Sequence, residues 1–422
     1  MASRKKNKTK AEDTEQKGNR TAAETMEKRL KFKIIRPMRD LANEGAFKWD
    51  RFSSGELGID IALAGGYTFG GFHVVASNKE SACKSSIAAS SAAELTARHK
   101  RKILLIEPEG TWTDDWLIQK GVDIDYVHVA YPENAEQAFE TLEAALYDKQ
   151  YGGIFLDSVP SLAAQSEIDK SFFDGNRPQV PRLYTMFCKK YTSALNGFRN
   201  NREGFPPTVF VVNQIKENQD EYKSEYMIGG KQQRNHAITI AELHRTEKIW
   251  EGMSDKIKEN ERNYIGTFNR ITFSKNKTGP QFKRTVFGMV YEPYLGHPAQ
   301  TFFHADTLHR MGMRLGIIKL TGAWFEIPAF GQKFQGKENA YEEIIRNEEI
   351  RKYIVEQVKK ELPHIPIQFT GDLLYPLHTE ENDATVGDDA PVTKEKSTGK
   401  KAGGTEKTKK KSKVVLGKKR KK

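Results

Sequence analysis

A lysine and a serine stand side by side where an apolar stretch gives way to a helical pattern. In a phosphate-binding loop of the form G-x-x-x-x-G-K-[ST], that lysine meets the β- and γ-phosphates and the hydroxyl binds Mg²⁺. The N-terminus of the following helix also favours an anion. We therefore predict a nucleotide phosphate site, with ATP and Mg²⁺ as cofactors, over these residues: Asn78, Lys79, Glu80, Ser81, Ala82, Cys83, Lys84, Ser85 and Ser86.

Both glycines of that loop pattern are missing, and Asn78 and Cys83 stand in their places. Asparagine is the residue after glycine that best tolerates a left-handed backbone, so Asn78 is a mild change. Cys83 puts a side chain where backbone amides should approach phosphate. On these residues alone, an ordinary strand-to-helix turn with a solvated Lys84 remains an alternative.

Three more polar residues follow apolar runs that predict strands: Glu109, Asp157 and Gln214. Ligands bind at the carboxyl ends of parallel strands, so we expect these side chains to meet the phosphate loop. Glu109 could polarise an attacking water, and Asp157 could be the second Mg²⁺ partner beside Ser85. Gln214 could sense the γ-phosphate and relay its state to the next loop. Chance agreement of all the strand ends is improbable.

Short apolar runs alternate with longer helical periods, which is the pattern of a mostly parallel sheet with crossover helices. This predicts an α/β fold. The predicted strands are 72–76, 103–106, 127–130, 154–157 and 208–213, with a helix at 135–147. A later antiparallel pair is predicted at 269–275 and 284–291, around the turn at Thr278-Gly279-Pro280.

The texture changes after Pro298 to small mixed elements that end in one charged helix around 339–361. The predicted organisation is a disordered basic N-terminus at 1–21, a helix and strand within 22–50, an α/β core at 51–296, a small α/β C-terminal domain at 297–365 and a disordered tail at 366–422, Lys-rich at its end.

All the excess positive charge lies at the two ends. Residues 391–422 carry 14 Lys or Arg against 2 Glu, and residues 1–34 carry 11 against 5, whereas the formal net charge of the chain is +12. Such ends favour a polyanionic partner through counterion release, although a solubility tail or a nuclear-import signal is an alternative for the C-terminal one. Two cysteines and no long apolar run lead us to expect a soluble protein in a reducing compartment, without a membrane partner.

From about residue 52 to 361 the chain resembles bacterial RecA, and its phosphate loop is most similar to that of phage recombinases of the UvsX type, where a bulky residue also precedes the lysine. A phage source is the corresponding expectation. The matching motifs are Phe52–Leu63, Gly121–Asp125, Leu156–Leu162, Asn213-Gln214-Ile215, Gly229-Gly230, Lys275-Asn276-Lys277, Gly322-Ala323-Trp324, Gly331-Gln332-Lys333 and Gly336–Ala340.

The resemblance implies a RecA-like P-loop NTPase core and roles for several side chains. Glu109 would be the catalytic carboxylate and Gln214 the switch, and Trp116 would lie against the adenine. Lys275 and Lys277 would reach the ATP of a neighbouring subunit, so that nucleotide lies at a filament interface. By the same analogy, residues 22–36 would dock on that subunit. A surface tryptophan and an exposed strand face are the alternatives for Trp116 and the lysines.

Two loops near the filament axis would bind DNA. The first spans 165–181, and its candidates, with the start of the next helix, are Phe172, Arg177 and Arg182. The second spans 215–234, and its candidates are Lys216, Lys223, Met227, Ile228, Gly229, Gly230, Lys231 and Arg234. The second loop also carries four acidic residues that repel phosphate, so a merely mobile charged loop is an alternative for it.

The expected function is that of an ATP-dependent recombinase in the cytoplasm of a bacterial cell. It would form filaments on single-stranded DNA, pair that strand with a homologous duplex and catalyse strand exchange. A RecA paralogue that binds DNA or mediates assembly with little or no ATP hydrolysis is the alternative, because Asn78 and Cys83 depart from the loop pattern. A hexameric helicase would share the nucleotide site but would not explain the Gly322-Ala323-Trp324 region.

Overall fold

The computed structural model describes the chain from residue 22 to 370 with short gaps. The described residues are 22, 24–30, 35–45, 48–78, 82–171, 178–201, 203–216, 226–253 and 257–370. Residues 24–30 are helical, as expected for the first part of the predicted 22–36 element, whereas 31–34, the place of its strand, lie outside the described residues.

A ten-stranded sheet forms the centre of the described chain, and six of its strands are parallel. In spatial order the parallel part is β9-β3-β7-β6-β4-β5. Their bounds are β3 Phe72–Ser77, β4 Ile103–Ile106, β5 Val127–Ala130, β6 Gly153–Leu156, β7 Val209–Lys216 and β9 Thr239–Trp250. The predicted α/β class with a mostly parallel sheet is confirmed, and β3 to β6 lie within one residue of their predicted bounds.

The sheet continues past β9 as an antiparallel extension. β9, β10, β11 and β12 pair antiparallel in that order, so the predicted late hairpin is present. The bounds are β10 Tyr264–Asn276, β11 Arg284–Val290 and β12 Thr301–Phe302. Two short strands, β1 Arg51–Phe52 and β2 Tyr67–Thr68, form a separate ribbon, and β8 Tyr226–Met227 pairs with the end of β7.

Helices cover both faces of the sheet, because its strands are apolar on both sides. On one face α3 (Lys84–Ala93) packs with β7 and β10 through Ile87, Phe210 and Phe273. On the other face α5 and α7 pack through residues such as Leu142 and Phe187. The helices up to this point are α1 Met38–Asn43, α2 Leu57–Ala62, α3 Lys84–Ala93, α4 Asp114–Gln119, α5 Ala135–Asp148, α6 Gln165–Ile168, α7 Val180–Asn201 and α8 Gln232–His236.

Residues from His304 onward add helices and a three-stranded sheet, and a third cluster packs Leu57 and Phe268 against Ile344 and Ile354. The elements are α9 His304–Arg314, β13 Lys319–Thr321, β14 Trp324–Ile327, β15 Gln332–Gln335, α10 Lys337–Arg346 and α11 Glu348–Glu361. The predicted single helix at 339–361 is wrong. Asn347 ends α10, and its side chain accepts hydrogen bonds from the amides of Glu349 and Ile350, which starts α11 as a new helix.

The motif that begins at Phe52 forms a buried turn that is held together by hydrogen bonds to Asp60. The carboxylate of Asp60 accepts hydrogen bonds from Ser53 Oγ at 2.6 Å and from Ser54 N and Oγ at 2.7 and 2.6 Å. Its backbone carbonyl accepts from the amides of Gly65 and Gly66. Burial raises the pKa of Asp60 to about 6. The carboxylate of Asp60 therefore has a structural role: it holds the segment that leads into the core in one conformation.

Both cysteines are free thiols. Within the described residues, no helix is both long and apolar enough to cross a bilayer.

Candidate functional site

The predicted reactive residues leave the sheet at one edge. β3 and β7 pair with Ser77 opposite Gln214, and β4 and β6 pair with Ile106 opposite Leu156. Because these strands are parallel, the residues that follow them emerge on the same side. The phosphate-loop residues, Glu109, Asp157 and Gln214 are thus brought to a single edge, as the strand pattern predicts.

Helix α3 begins at the phosphate loop. Cys83 precedes its first turn with φ 61° and ψ 26°, a left-handed conformation, and its carbonyl accepts a hydrogen bond from the amide of Ile87 at 3.0 Å. The backbone amides of a helix's first turn and the helix dipole make this end attractive to an anion. A cavity of about 400 Å³ opens here, lined by Ala82, Cys83, Lys84, Ser85, Ser86, Tyr291 and Gln300. Residues 79–81 of the predicted loop lie outside the described residues.

Ser85 and Asp157, the two predicted Mg²⁺ partners, lie beside each other. The Ser85 side chain is within interaction range of the Asp157 carboxylate, to which Trp112 Nε1 donates a hydrogen bond of 2.8 Å. Asp157 is 5% exposed, and burial raises its pKa. A hydroxyl and a carboxylate side by side at the phosphate end of α3 are hard oxygen ligands, so this donor set fits a Mg²⁺ ion that is also held by phosphate oxygens.

Two glutamates follow β4, and the structure separates their roles. Glu107 is 1% exposed, and its carboxylate accepts hydrogen bonds from Thr111 N and Oγ1 at 3.0 to 3.1 Å, so it shapes the turn. Glu109 is exposed, and its carboxylate accepts a hydrogen bond of 2.8 Å from the hydroxyl of Ser158, the residue after Asp157. Of these two glutamates, Glu109 is the one whose side chain is exposed to solvent beside Ser85 and Asp157.

Gln214 stands where β7 meets the second predicted DNA loop. Its backbone carbonyl accepts a hydrogen bond of 3.2 Å from Ile228 N, and its backbone N–H donates a hydrogen bond of 2.7 Å to Asn213 Oδ1. Asn213 Nδ2 in turn donates hydrogen bonds of 2.8 Å to Ile228 O and to Gln233 Oε1. The buried side chains of Asn213 and Gln233, together with the backbone of Gln214, therefore tie the strand end to the returning part of the loop.

The second loop returns through β8 and a pair of left-handed glycines. Gly229 has φ 89° and lies so close to Tyr184 that a Cβ would stand 2.1 Å from the ring, whereas a Cβ on Gly230 would meet nothing closer than 3.9 Å. Met227 is only 4% exposed and packs in the core, while Lys216, Gly230, Lys231 and Arg234 are exposed and Ile228 is half-buried. Lys223 lies outside the described residues.

The first loop contains one helical turn, α6. Phe172 and Arg177 lie outside the described residues. Arg182 is exposed in the first turn of α7, whose start is held by Gln179 N donating 2.7 Å to Glu167 Oε1.

Trp116 is half-buried on α4, with its ring 5.2 Å from that of Trp112. The ammonium of Lys120 lies 5.2 Å from the Trp116 ring centre and bonds the carbonyl of Gln300. Burial lowers the pKa of Lys120 to about 7. The tryptophan is thus linked through Lys120 to Gln300, which lines the cavity.

Tyr291 is a site residue that the sequence did not reveal. It follows β11, lines the cavity beside Lys84 and Ser85, and hydrogen-bonds Thr267 Oγ1 at 2.7 Å. A tyrosine after a strand matches no phosphate or metal pattern, so only the fold could place it there.

Lys275 and Lys277 lie on one face, as strand alternation predicts. Lys277 Nζ donates 2.8 Å to Asn235 O, and Lys275 Nζ bonds the carbonyls of Arg234 and Asn235 at the end of α8. Burial, and then the charge of Lys277, lowers the pKa of Lys275 to about 8. Through β9 these lysines stand beside the start of β3, at the end of the sheet opposite the phosphate loop of their own chain.

The fold is that of an α/β protein whose candidate phosphate loop and candidate Mg²⁺ ligands meet at one edge of the sheet. The sequence matches the family model described as RecA N-terminal domain over residues 18–295. Proteins named "Protein RecA" are similar over most of the chain. The one from Nocardia farcinica is 28% identical over 311 residues, 73% of this chain and 82% of the relative. The one from Streptomyces avermitilis is 26% identical over 342 residues, 81% of each. The chain belongs to the RecA family.

Proposed function

We propose that this protein is an ATP-dependent DNA recombinase. It coats single-stranded DNA as a filament, tests a duplex for homology and exchanges strands, and DNA-stimulated ATP hydrolysis resets the filament. The observation that carries the proposal is the meeting of Ser85, Asp157 and Glu109 beside the N-terminus of α3, in a chain of the RecA family.

ATP would bind in the cavity at the start of α3. Lys84 would contact the β- and γ-phosphates, and the backbone amides at the start of α3 would donate hydrogen bonds to the phosphate oxygens. Bound Mg²⁺ would supply charge neutralisation between the phosphates, held by Ser85 and oriented by Asp157. Glu109, fixed by Ser158, would accept a hydrogen bond from the attacking water and turn it toward the γ-phosphate. Trp116 would flank the adenine.

Gln214 would couple the phosphates to DNA. It ends β7 beside Ser77, the residue before the phosphate loop, and its carbonyl holds Ile228 in the second loop. A change in its contact with the γ-phosphate would therefore be felt by the loop that carries Gly230, Lys231 and Arg234. Lys216, Lys223, Arg182, Phe172 and Arg177 would complete the single-strand contacts.

Hydrolysis would depend on assembly. Lys275 and Lys277 stand at the end of the sheet away from their own phosphate loop, so they would serve the nucleotide of a neighbouring subunit. Such an arrangement places ATP at the interface and makes turnover follow filament formation. A phage gene and a bacterial cytoplasm are the source and compartment that we propose.

The basic segment 391–422 would recruit duplex DNA by counterion release. Removing it should weaken duplex capture and reduce the salt dependence of binding, and an unchanged salt dependence would contradict this role.

A second candidate function is a RecA paralogue that binds DNA but hydrolyses ATP poorly. It is favoured by Cys83, whose side chain occupies the position of the second loop glycine. In that case Lys84 and Glu109 would hold nucleotide without rapid turnover.

One experiment separates the two functions. ATP hydrolysis is measured with and without single-stranded DNA for the wild type and for Lys84→Ala. Turnover that DNA stimulates and that the substitution abolishes supports the recombinase and justifies strand-exchange assays. Intact DNA binding without any turnover in the wild type would replace it with the paralogue. Electron microscopy on single-stranded DNA then distinguishes filaments from rings.

A further inference from the structure

The side chain of Cys83 is held from behind by residues of two distant strands. Its sulfur accepts a hydrogen bond of 3.4 Å from Asn269 Nδ2 on β10 and lies 3.6 Å from the hydroxyl of Tyr291 after β11. Cys83 is 9% exposed and Asn269 is fully buried. The thiol is therefore packed into the protein.

These contacts close into a ring. Asn269 Nδ2 also donates 2.9 Å to Thr267 Oγ1, and Thr267 Oγ1 lies 2.7 Å from the Tyr291 hydroxyl, which returns to Cys83. Asn269 and Thr267 belong to a strand that pairs on both sides, so the ring is anchored to the rigid part of the sheet. The phosphate loop is thus attached to β10 through one side chain.

The backbone at Cys83 explains why an attachment matters. A left-handed conformation at φ 61° costs a residue with a Cβ about 1 kcal/mol or more relative to glycine. Without a compensating contact, the loop would relax toward a conformation in which its amides no longer face the phosphate. Contacts to the sulfur favour the strained conformation, because they exist only when the Cβ points toward β10.

Asn269 is a poor residue for stability alone. Its side-chain oxygen is buried and has no hydrogen-bond partner among the described residues. An unpaired buried carbonyl is costly, and an apolar side chain of the same size would avoid that cost. What Asn269 offers that leucine cannot is the amide hydrogen that faces the Cys83 sulfur.

We propose that Asn269, with Tyr291, is a positioning residue that holds Cys83 in the turn a glycine would adopt freely, and so keeps the loop able to bind phosphate. This inference rests on the proposed nucleotide site and adds to it the residues that make a phosphate loop without its second glycine workable. Tyr291 also lines the cavity, so the same ring joins the loop to the opposite wall.

The test is a double-mutant cycle on nucleotide affinity. A fluorescent ATP analogue is titrated with Mg²⁺ into the wild type, Asn269→Leu, Cys83→Gly and the double variant. Asn269→Leu should weaken binding about three- to tenfold, the worth of one hydrogen bond. In the Cys83→Gly background the same substitution should change affinity by less than about twofold, because glycine needs no support.

Thermal unfolding distinguishes a positioning role from a purely structural one, because loss of a structural contact would lower Tm. Asn269→Leu should keep or raise Tm, since it removes an unpaired carbonyl, while affinity falls. Thr246→Val is the matched control, because it removes a side-chain hydrogen bond of 3.0 Å to the carbonyl of Phe268, the residue before Asn269, and leaves the contacts to Cys83 in place. If Asn269→Leu does not fold, Asn269→Ser enters the same cycle.

An equal loss of affinity in both backgrounds, or no loss in either, would overturn the role of Asn269. A wild type that binds no ATP analogue would instead contradict the proposed function itself.

Discussion

The hydroxyl of Ser158 donates a hydrogen bond of 2.8 Å to Oε1 of Glu109, and this contact joins the ends of β6 and β4. Ser158 directly follows Asp157, which lies beside Ser85. The carboxylate proposed for water activation and the carboxylate proposed for the metal are therefore fixed relative to each other by adjacent residues.

Glu109→Gln should abolish most ATP hydrolysis while leaving nucleotide affinity within about twofold. General-base assistance is typically worth about 10² to 10⁴ in rate, so we expect turnover to fall at least about a hundredfold. Ser158→Ala, which only frees the carboxylate, should cost less than about tenfold. Steady-state hydrolysis with single-stranded DNA measures both, and near wild-type turnover in Glu109→Gln would remove it from the chemistry.

Replacing both Lys275 and Lys277 by alanine should suppress DNA-stimulated hydrolysis, because the neighbouring nucleotide would lose two cations. Mixing this variant with Lys84→Ala should restore part of the activity. The first supplies an intact phosphate loop and the second supplies intact lysines across the same interface. Hydrolysis by the mixture, compared with each variant alone, is the measurement, and a mixture as inactive as its components would contradict a role across the interface.

Gly229→Ala should destabilise the protein more than Gly230→Ala. Both glycines have positive φ, so each alanine costs about 1 kcal/mol in backbone strain. Only at position 229 would the new Cβ also collide with the Tyr184 ring, at 2.1 Å. Urea unfolding of the two variants isolates the collision, and equal midpoints would mean that the ring moves aside without cost.

The stability of the wild type relative to Glu94→Gln should fall as pH rises. Burial raises the pKa of Glu94 to about 8, even though Arg98 lies 3.5 Å away. Since the folded pKa lies above the ordinary value of 4.5, the stabilising contribution is complete below about pH 4.5 and is lost as pH rises through 8.

Calorimetric Tm values at pH 5.5 and 8.5 check this sign. The two proteins should differ little at pH 5.5, where the carboxyl is neutral, and Glu94→Gln should be the more stable at pH 8.5. Glu140→Gln, an exposed change on α5, should shift Tm little at either pH. A Tm difference that stays constant between the two pH values would contradict the expectation.

The positions of the strands and the edge that carries the site could be predicted, because each strand is a continuous apolar run followed by polar residues. Ile106, Leu156 and Asn213 show the pattern, and parallel pairing then brings their successors together. The helix break at Asn347 was missed because the charged period continues through it. A cap acts locally, and the Asn-Glu-Glu sequence was the available signal.

Other parts of the site could not be predicted because they depend on distant contacts. Cys83 and Asn269 are 186 residues apart, and nothing near either residue indicates the other. Glu107 and Glu109 have the same chemistry in sequence, and only burial separates a turn-forming carboxylate from an exposed one. Met227 was a candidate DNA contact, yet its side chain packs in the core, so its role in binding DNA stays a prediction.

The ammonium groups of Lys275 and Lys277 are already engaged, since they bond the carbonyls at the end of α8. In the proposed filament they would have to leave these carbonyls to reach the neighbouring nucleotide. Assembly would then be an exchange of partners rather than a gain of contacts, and the end of α8, just after the second DNA loop, would lose its anchor. When a new subunit joins, the subunit that supplies the lysines would therefore gain freedom in its second DNA loop, at the stage when that loop has to bind DNA.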